Sequence, residues 1–353
     1  MLFDIIPKSK KTDLYGVDVL YNTLMEKYND NTKLIVLSGL RRTGKTSLLK
    51  VSLNESKRKF VFVDSRLAPY TDRNLFLEFL SKEISKVIST SKISKVGLSV
   101  GNDLLKGKVD FQFNDYSDLL SILKIANDQK IILAFDEAQY LAKINFDEII
   151  ASIFDNFNNI TLILTGSEIG LLYDFLGTKN NKAPLFGRLF TELTTERFSK
   201  EKSIDFLKKG FEENNLMINN SELYATIDKL DGIIGWTTYY GYLRVVDRKT
   251  HLNALEQVIN LGAKTAFEEL DKFLINRKAR DKYLLLIKEI SLGNNTWTQL
   301  KKRLKQKFNK INDSQLNTYI NALLYHGFIE KKERIYYVGD PLLIKAVFEN
   351  HIL

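Results

Sequence analysis

The sequence predicts an α/β protein in which a parallel-sheet sandwich is followed by a helical domain and a winged helix-turn-helix. Three observations support this fold class. Mostly apolar segments at 34–38, 131–135 and 159–164 each end in small or acidic residues, as buried parallel strands do. Helical apolar spacing runs through residues 196–275. Three helical segments and a short hairpin then complete the chain.

The composition is that of a globular protein with a basic surface. Its 353 residues predict two or three domains. The absence of cysteine excludes disulfides and thiolate chemistry, and the three histidines are too scattered for a metal triad. Without a bilayer-length apolar run or a signal-peptide pattern, we expect a cytoplasmic protein with no membrane contact. The formal charge of +9 fits either general solubility or an acidic polymer as partner.

The first strand leads into a phosphate-binding loop, because residues 39–46 match G-x-x-x-x-G-K-[ST] at every fixed position. Gly39 and Gly44 let the backbone turn so that its N–H groups point at phosphate oxygens, beside the positive end of the next helix. Lys45 is placed to reach the β- and γ-phosphates. We expect the nucleotide to contact the whole loop: Gly39, Leu40, Arg41, Arg42, Thr43, Gly44, Lys45, Thr46 and Ser47.

An acidic pair follows the second strand. Asp136 is expected to hold Mg²⁺ together with the Thr46 hydroxyl. Glu137 is expected to orient or deprotonate the attacking water, although a solvated loop carboxylate is the alternative. An adjacent carboxylate of this kind favours hydrolysis over transfer to a substrate hydroxyl. These residues predict a site for ATP or ADP with Mg²⁺.

The third strand ends in two residues that can act in either of two ways. Thr165 and Ser167 are placed to contact the γ-phosphate or the water, or else to cap the following helix. Arg188 follows a glycine in a later loop. It can stabilise transition-state charge in cis or in trans, or form a structural salt bridge. The sequence leaves both choices open.

Two further segments carry open alternatives. Residues 96–113 alternate apolar and polar side chains and predict a hairpin, which is either decoration or a contact with a substrate or neighbour. Trp236, Tyr239 and Tyr240 in the helical domain are either core aromatics or, for one of them, a contact with the base.

The last part of the chain is basic, with 13 Lys/Arg against 7 Asp/Glu over residues 280–353. Its second helix, which Thr296 is expected to cap, carries a basic stripe suited to DNA phosphates. Its third helix presents amide side chains that can recognise adenine edges. A protein-binding or intramolecular role is the alternative. The residues expected to contact duplex DNA are Lys301, Lys302, Arg303, Lys305, Lys307, Gln315 and Asn317.

Together these motifs resemble one family, the archaeal P-loop ATPases of the AAA+/STAND branch. The resemblance implies an AAA+-like nucleotide-binding domain at 1–195, a helical lid domain at 196–275 and a winged helix at 276–353. It rests on the phosphate loop and on five later segments: Phe-Asp-Glu-Ala-Gln at 135–139, Leu-Thr-Gly-Ser at 164–167, Phe-Gly-Arg at 186–188, 235–241 and 339–343.

Two positions depart from the pattern of that family. The family has an Arg in a box near the adenine pocket, and here Val17 stands in its place after Tyr15 and Gly16, which we still expect near the nucleotide. Ile234 replaces the proline of a Gly-x-Pro in the lid. The resemblance also implies ATP rather than GTP.

Two functions remain open from the sequence. One is a slowly turning ATPase coupled to duplex DNA through the winged helix. The other is a STAND-type signalling or defence switch that a protein trigger opens, with little or no DNA binding. The resemblance leaves the oligomeric state open as well, since AAA+ relatives often assemble into rings whereas this branch includes many monomers.

Overall fold

The computed structural model describes five stretches of the chain: 1–67, 72–88, 116–275, 277–308 and 311–350. The hairpin predicted over residues 96–113 lies outside the described residues. Within those five stretches, no helix is both long and apolar enough to cross a membrane.

A five-stranded sheet forms the centre of the first domain. Its strands are β1 (Leu34–Gly39), β2 (Phe60–Asp64), β3 (Ile132–Asp136), β4 (Thr161–Gly166) and β5 (Thr191–Thr195). They are ordered β2-β3-β4-β1-β5, and every pairing is parallel. The three central strands are buried throughout, which explains their apolar sequences. The carboxyl ends of β1, β3 and β4 meet at one edge of the sheet, so the loops that follow them also meet there.

Helices cover both faces of this sheet. Because successive strand residues point to opposite faces, Leu34 and Val36 pack in one apolar cluster, whereas Ile35 and Leu37 pack in another. The predicted parallel P-loop sandwich is confirmed. Its helices are α1 (Asp18–Asn29), α2 (Lys45–Glu55), α3 (Arg73–Val87), α4 (Tyr116–Asp128), α5 (Asp147–Asn156) and α6 (Ile169–Phe175).

The lid is helical, and the first residues of the chain are buried in its core. The Phe3 ring lies against Gly210 and Gly241, where an added Cβ would approach ring carbons to 2.2 and 2.3 Å. Residues 1–8 cross from the lid to the phosphate loop, where Lys8 N donates to Ser47 Oγ at 3.1 Å. The lid helices are α7 (Lys200–Glu212), α8 (Asn220–Leu230), α9 (Ile234–Val245) and α10 (His251–Leu274).

The last domain is the predicted winged helix-turn-helix. Thr296 caps its second helix through a capping box with Gln299. Leu270 and Leu274 of α10 lie in the same apolar core as the last domain, so α10 joins the lid to the winged helix. The elements are α11 (Arg280–Ser291), α12 (Trp297–Lys307), α13 (Asp313–Tyr325), β6 (Ile329–Lys332), β7 (Ile335–Val338) and α14 (Pro341–Asn350).

Candidate nucleotide-binding site

The loop between β1 and α2 has the backbone that a phosphate cradle requires. Gly39 has φ +142°, and a Cβ there would lie 2.4 Å from the Thr195 carbonyl oxygen, so only glycine fits. Gly44 has φ +92° and forms the left-handed turn immediately before α2. The Thr43 hydroxyl donates to Leu40 O at 2.8 Å and closes the loop from inside. The N-terminus of an eleven-residue helix therefore opens onto a preformed loop of N–H groups.

Lys45, the first residue of α2, is almost fully buried at 5% exposure. Its Nζ donates to the carbonyl oxygens of Gly39 at 2.8 Å and Leu40 at 2.5 Å. Burial lowers the pKa of this ammonium to about 8, although the Glu137 and Asp136 carboxylates act in the opposite direction. The amine is thus held inside the loop by weak acceptors that an anionic phosphate can replace.

Asp136 ends β3 with two threonine hydroxyls against its carboxylate. Thr46 Oγ1 donates to Oδ2 at 2.9 Å, and Thr165 Oγ1 donates to Oδ1 at 2.5 Å. Burial raises the pKa of this carboxyl, and the two hydrogen bonds only partly oppose that effect. Because Mg²⁺ prefers oxygen ligands and a nearby cation would favour the charged carboxylate, the pair formed by Thr46 and Asp136 fits that ion.

A metal at this position would take few protein ligands. Among the described residues, no group of three or more His, Cys, Asp and Glu could hold an ion. Mg²⁺ commonly uses one or two carboxylates and completes its shell with water and substrate phosphates. The donor set agrees with that chemistry.

Glu137 is held in a left-handed backbone conformation, with φ 54° and ψ 51°. Its Oε2 accepts from Gln139 Nε2 at 2.7 Å, from the Ser167 backbone N at 3.0 Å and from Ser167 Oγ at 2.8 Å. Although burial acts to raise the pKa of Glu137, Lys45 and these donors together hold it below its usual value. The carboxylate is therefore ionised and fixed in position.

Thr165 connects the two acids. Its hydroxyl donates to Asp136 and accepts from the Glu137 backbone N at 3.0 Å. Both Thr165 and Ser167 therefore contact the acidic pair directly, a contact that neither sequence-based hypothesis named. The predicted contact with the γ-phosphate or the water stays a prediction. The alternative in which they only cap the next helix does not account for these bonds.

Residues 41–47, together with Glu137 and Ser167, line a cleft of about 890 Å³ between the sandwich, the lid and the winged helix. Its apolar wall includes Ile234 and Tyr239 from the lid and Phe328 from the winged helix. Residues 4–8 line it from the side of the N-terminal segment. Trp236 and Tyr240 are buried in the lid core, although Trp236 also reaches the cleft surface.

Tyr15 and Gly16 lie where α1 approaches the lid. The Tyr15 ring packs against Phe198 and Phe206 and lines the cleft, while its hydroxyl donates to the Asp205 carboxylate. The backbone carbonyl of Gly16 accepts from the Lys202 ammonium. Tyr15 is thus beside the cleft, whereas Gly16 contacts the lid.

Arg41 and Arg42 leave the phosphate loop in the direction of the other two domains. Both bind Glu269 of α10, at 3.2 Å for Arg41 and 2.9 Å for Arg42. Arg41 also pairs with Glu168 at 3.2 Å, and Arg42 with Asp340 at 3.2 Å. We call these four ion pairs the arginine latch. The latch residues that the sequence did not suggest, Glu168 and Glu269, have no distinguishing local pattern.

Other contacts continue the latch. Arg41 Nη1 donates to the His326 carbonyl at 3.1 Å, and the Arg42 guanidinium lies 4.5 Å from the Trp236 ring centre. Tyr325 packs so closely on Gly170 that a Cβ there would meet its ring at 2.2 Å. The winged helix therefore rests on the phosphate loop and on α6.

Arg188 is placed elsewhere. Its Nε and Nη2 donate to the two carboxylate oxygens of Asp155 at 3.0 and 2.5 Å, and it does not line the cleft. The geometry is that of a structural salt bridge within this chain. Arg66, for which the sequence gave no signal beyond its position after a strand, does line the cleft.

The residues expected to contact DNA divide into two groups. Lys301 pairs with Asp313 at 2.6 Å, and Arg303 with Glu289 at 3.3 Å. Gln315 belongs to the capping box of α13, and Asn317 accepts from Trp297 Nε1 at 2.7 Å. In contrast, Lys302, Lys305 and Lys307 are exposed on α12.

Comparisons with known proteins agree with this architecture. A family model described as an ATPase domain predominantly from Archaea matches residues 22–233. A second model, the C-terminal winged helix-turn-helix domain of MCM proteins, matches residues 277–338. A search of curated proteins gave no match.

Among solved structures, the Walker-type ATPase PABY2304 of Pyrococcus abyssi is similar over the whole length. The TM-score is 0.78 at 30% identity, covering 99% of this chain and 100% of that chain. The RuvB Holliday junction branch migration motor of Thermotoga maritima gives 0.43 at 13% identity, covering 95% and 96%. The STAND protein PH0952 of Pyrococcus horikoshii gives 0.41 at 15% identity, covering 97% of this chain and 43% of that one.

Proposed function

The chain belongs to the family of ATPase domains found predominantly in Archaea and is an ATP-hydrolysing enzyme; from this premise we propose that its ATP cycle opens and closes the arginine latch. The observation that carries the proposal is that Arg41 and Arg42 of the phosphate loop bind carboxylates of the lid and the winged helix. Nucleotide and domain contacts therefore use the same eight-residue loop.

Substrate binding begins with an exchange of partners at Lys45. The ammonium leaves the carbonyls of Gly39 and Leu40 for the β- and γ-phosphate oxygens, while the loop N–H groups take the remaining phosphate oxygens. Mg²⁺ would be held by Thr46 and Asp136, and when bound it neutralises charge on the phosphates. Because Arg41 directly follows Leu40, this exchange changes the backbone next to the latch.

Glu137 acts on the water. Three donors occupy its Oε2, which leaves Oε1 to accept a hydrogen bond from the nucleophile. Since these donors and Lys45 hold the pKa low, Glu137 is a weak base and acts chiefly by orienting the water in line with the γ-phosphate. Thr165 and Ser167 fix both acids, so they are positioning residues. A weak base and a closed latch both favour slow turnover.

The enzymatic part is tested by steady-state hydrolysis of MgATP. Glu137→Gln keeps the size and the hydrogen bonds but removes the charge, so we expect turnover to fall by about 10²- to 10³-fold, with ATP binding retained. Unchanged turnover would remove Glu137 from the mechanism. ADP affinity, measured by calorimetry, is the control for an intact site.

The switch is tested by amide hydrogen exchange across α13, the hairpin and α14. We compare nucleotide-free wild type, the ADP complex and the ATP complex of Glu137→Gln. Exchange in these elements should differ between the ADP and ATP complexes. Asp340→Asn, which removes one latch charge, should move the nucleotide-free protein toward faster exchange. Identical exchange in all states would contradict a nucleotide-driven latch.

Duplex DNA is the second part of the proposal. It is favoured by the three exposed lysines Lys302, Lys305 and Lys307 on α12 and by similarity of residues 277–338 to an MCM winged helix. Because Gln315 and Asn317 already serve intramolecular bonds, we propose binding to the phosphate backbone rather than recognition of bases.

The salt dependence of binding separates the alternatives. Reversing Lys302 and Lys305 to Glu should lower the slope of log K against log salt by about 2, since each phosphate contact contributes roughly one unit. Lys179→Glu/Lys182→Glu is the matched control, because this exposed pair has the same spacing and lies on the sandwich. An unchanged slope would contradict DNA binding through α12 and favour the STAND-type switch, in which a protein trigger rather than DNA acts on the latch.

A further inference from the structure

Arg66 follows strand β2, which lies beside strand β3 and its terminal Asp136. In sequence, Arg66 is distant from the phosphate loop and from the acidic pair. Strand β2 pairs in register with β3, so that Asp64 is opposite Asp136. One residue later, Ser65 N donates to the Asp136 carbonyl at 3.0 Å. This hydrogen bond holds the backbone immediately before Arg66 against the end of β3. The Arg66 side chain lines the cleft together with Glu137.

The guanidinium of Arg66 is oriented by a bidentate pair. Nε donates to Asp64 Oδ1 at 2.9 Å and Nη2 to Oδ2 at 2.7 Å, while the Arg66 backbone N also donates to Oδ1 at 3.1 Å. These bonds use two of the five guanidinium N–H donors, which leaves three for another acceptor. The Arg66 side chain is 50% exposed, so it can reach a ligand without unpacking a core.

Arg41, Arg42 and Arg188 are less available than Arg66 to a bound nucleotide. Arg41 and Arg42 together make the four ion pairs of the latch with acids of other segments. Arg188 lies outside the cleft lining and is paired with Asp155. Arg66 combines a place in the cleft with one ion-pair partner among the described residues, Asp64, whose carboxylate fixes the direction of the guanidinium.

We propose that Arg66 contacts the terminal phosphoryl group of ATP and that Asp64 is the residue that positions it. The proposal rests on the ATPase site described above. The transferring phosphoryl group spreads charge over its equatorial oxygens, and a preoriented guanidinium stabilises that charge with its free N–H donors. Arg66 would then have one of the roles that the sequence suggested for Arg188, that of an arginine in the same chain that stabilises transition-state charge.

A contact with the terminal phosphoryl group is present with ATP and absent with ADP. Arg66→Ala should therefore weaken ATP binding about tenfold in a Glu137→Gln background and leave ADP binding unchanged. In otherwise wild-type protein, the same change should lower kcat by about 10²-fold. Asp64→Asn should lower kcat by a smaller factor, again without an effect on ADP.

The experiment measures ATP and ADP dissociation constants by calorimetry and kcat by phosphate release. Arg73→Ala is the control, since Arg73 is a partly exposed arginine that pairs with Glu148 at 2.8 Å and does not line the cleft. Equal loss of ATP and ADP affinity in Arg66→Ala, or an unchanged kcat, would overturn the proposal. Failure of the ATPase site itself would appear separately, as turnover that Glu137→Gln does not reduce.

Discussion

ATP binding should become weaker as the pH rises through about 8, because Lys45 must be charged to hold phosphate. In the nucleotide-free protein burial lowers the pKa of this ammonium from 10.5 to about 8. Phosphate oxygens favour the charged form and raise the pKa in the complex. Above pH 8 the ATP-bound protein therefore holds more protons than the free protein. The ATP affinity has its full value well below pH 8 and decreases as the pH rises above it.

The magnitude follows from the fraction of free protein that carries the ammonium. With a pKa of about 8, this fraction is roughly 90% at pH 7 and roughly 10% at pH 9. The ATP dissociation constant should therefore rise about tenfold between these pH values, equivalent to about 1.4 kcal/mol. At pH 9, about 0.9 proton should be taken up for each ATP bound.

Calorimetry in two buffers of different ionisation enthalpy measures both quantities. Lys45→Arg is the control, because a guanidinium stays charged across this range and any remaining affinity should be independent of pH. A flat affinity between pH 7 and 9 with no proton uptake would refute the reasoning. It would mean that the two loop carbonyls and the nearby carboxylates already keep Lys45 protonated.

Two more substitutions test how the site is supported. Thr165→Val removes the hydroxyl between the two acids, and we expect kcat to fall by about 10- to 100-fold and unfolding free energy by about 1–3 kcal/mol, with ADP affinity unchanged, as measured by phosphate release, denaturation and calorimetry. Gly235→Ala would place a Cβ 2.9 Å from Arg42 Cβ and 3.1 Å from the Arg42 carbonyl. It should displace α9 from the phosphate loop and increase hydrogen exchange in α9; unchanged exchange would show that the contact is not needed.

The local chemistry of the site could be predicted because each motif is fixed by its own strand. Thr46 and Asp136 are 90 residues apart, yet they are joined at 2.9 Å. Asp136 ends the central strand β3, and Thr46 follows the loop after the central strand β1. Parallel strands bring their carboxyl ends to one edge of the sheet. The same geometry explains why Thr165 and Ser167, at the end of β4, lie beside the acids, although their sequence pattern predicted a contact with the γ-phosphate or the water, or a helix cap. Thr296 likewise caps its helix as its sequence indicates.

Long-range partners could not be predicted from the sequence. Arg41 and Arg42 match positions of the motif that allow any residue, and their partner Glu269 is one acid among many on a long amphipathic helix. The partners that the Arg41 and Arg42 side chains find depend on how the three domains pack against one another. The hydrophobic periodicity of the sequence does not predict that packing. Arg188 illustrates the same limit, since an arginine after a glycine fits a catalytic loop as well as it fits a pair with Asp155.

The latch is also limited in strength, and this determines what kind of switch it can form. Its four pairs lie between groups that are 14–29% exposed. Partly exposed pairs of this kind contribute about 0.5–1 kcal/mol each, or roughly 2–4 kcal/mol together. Moving an equilibrium from 1:99 to 99:1 requires about 5.5 kcal/mol.

Charge pairs alone are therefore too weak for an all-or-none transition, and the packing contacts of aromatic side chains must move with them. Tyr325 against Gly170 and the Arg42 guanidinium over Trp236 join the same domains. If these contacts open together with the pairs, removing one charge by Asp340→Asn should shift the population by about two- to fivefold, corresponding to roughly 0.5–1 kcal/mol, and leave two distinct states. A latch that opened completely in this single variant would mean that the ion pairs dominate the interface and that the aromatic packing contacts follow them.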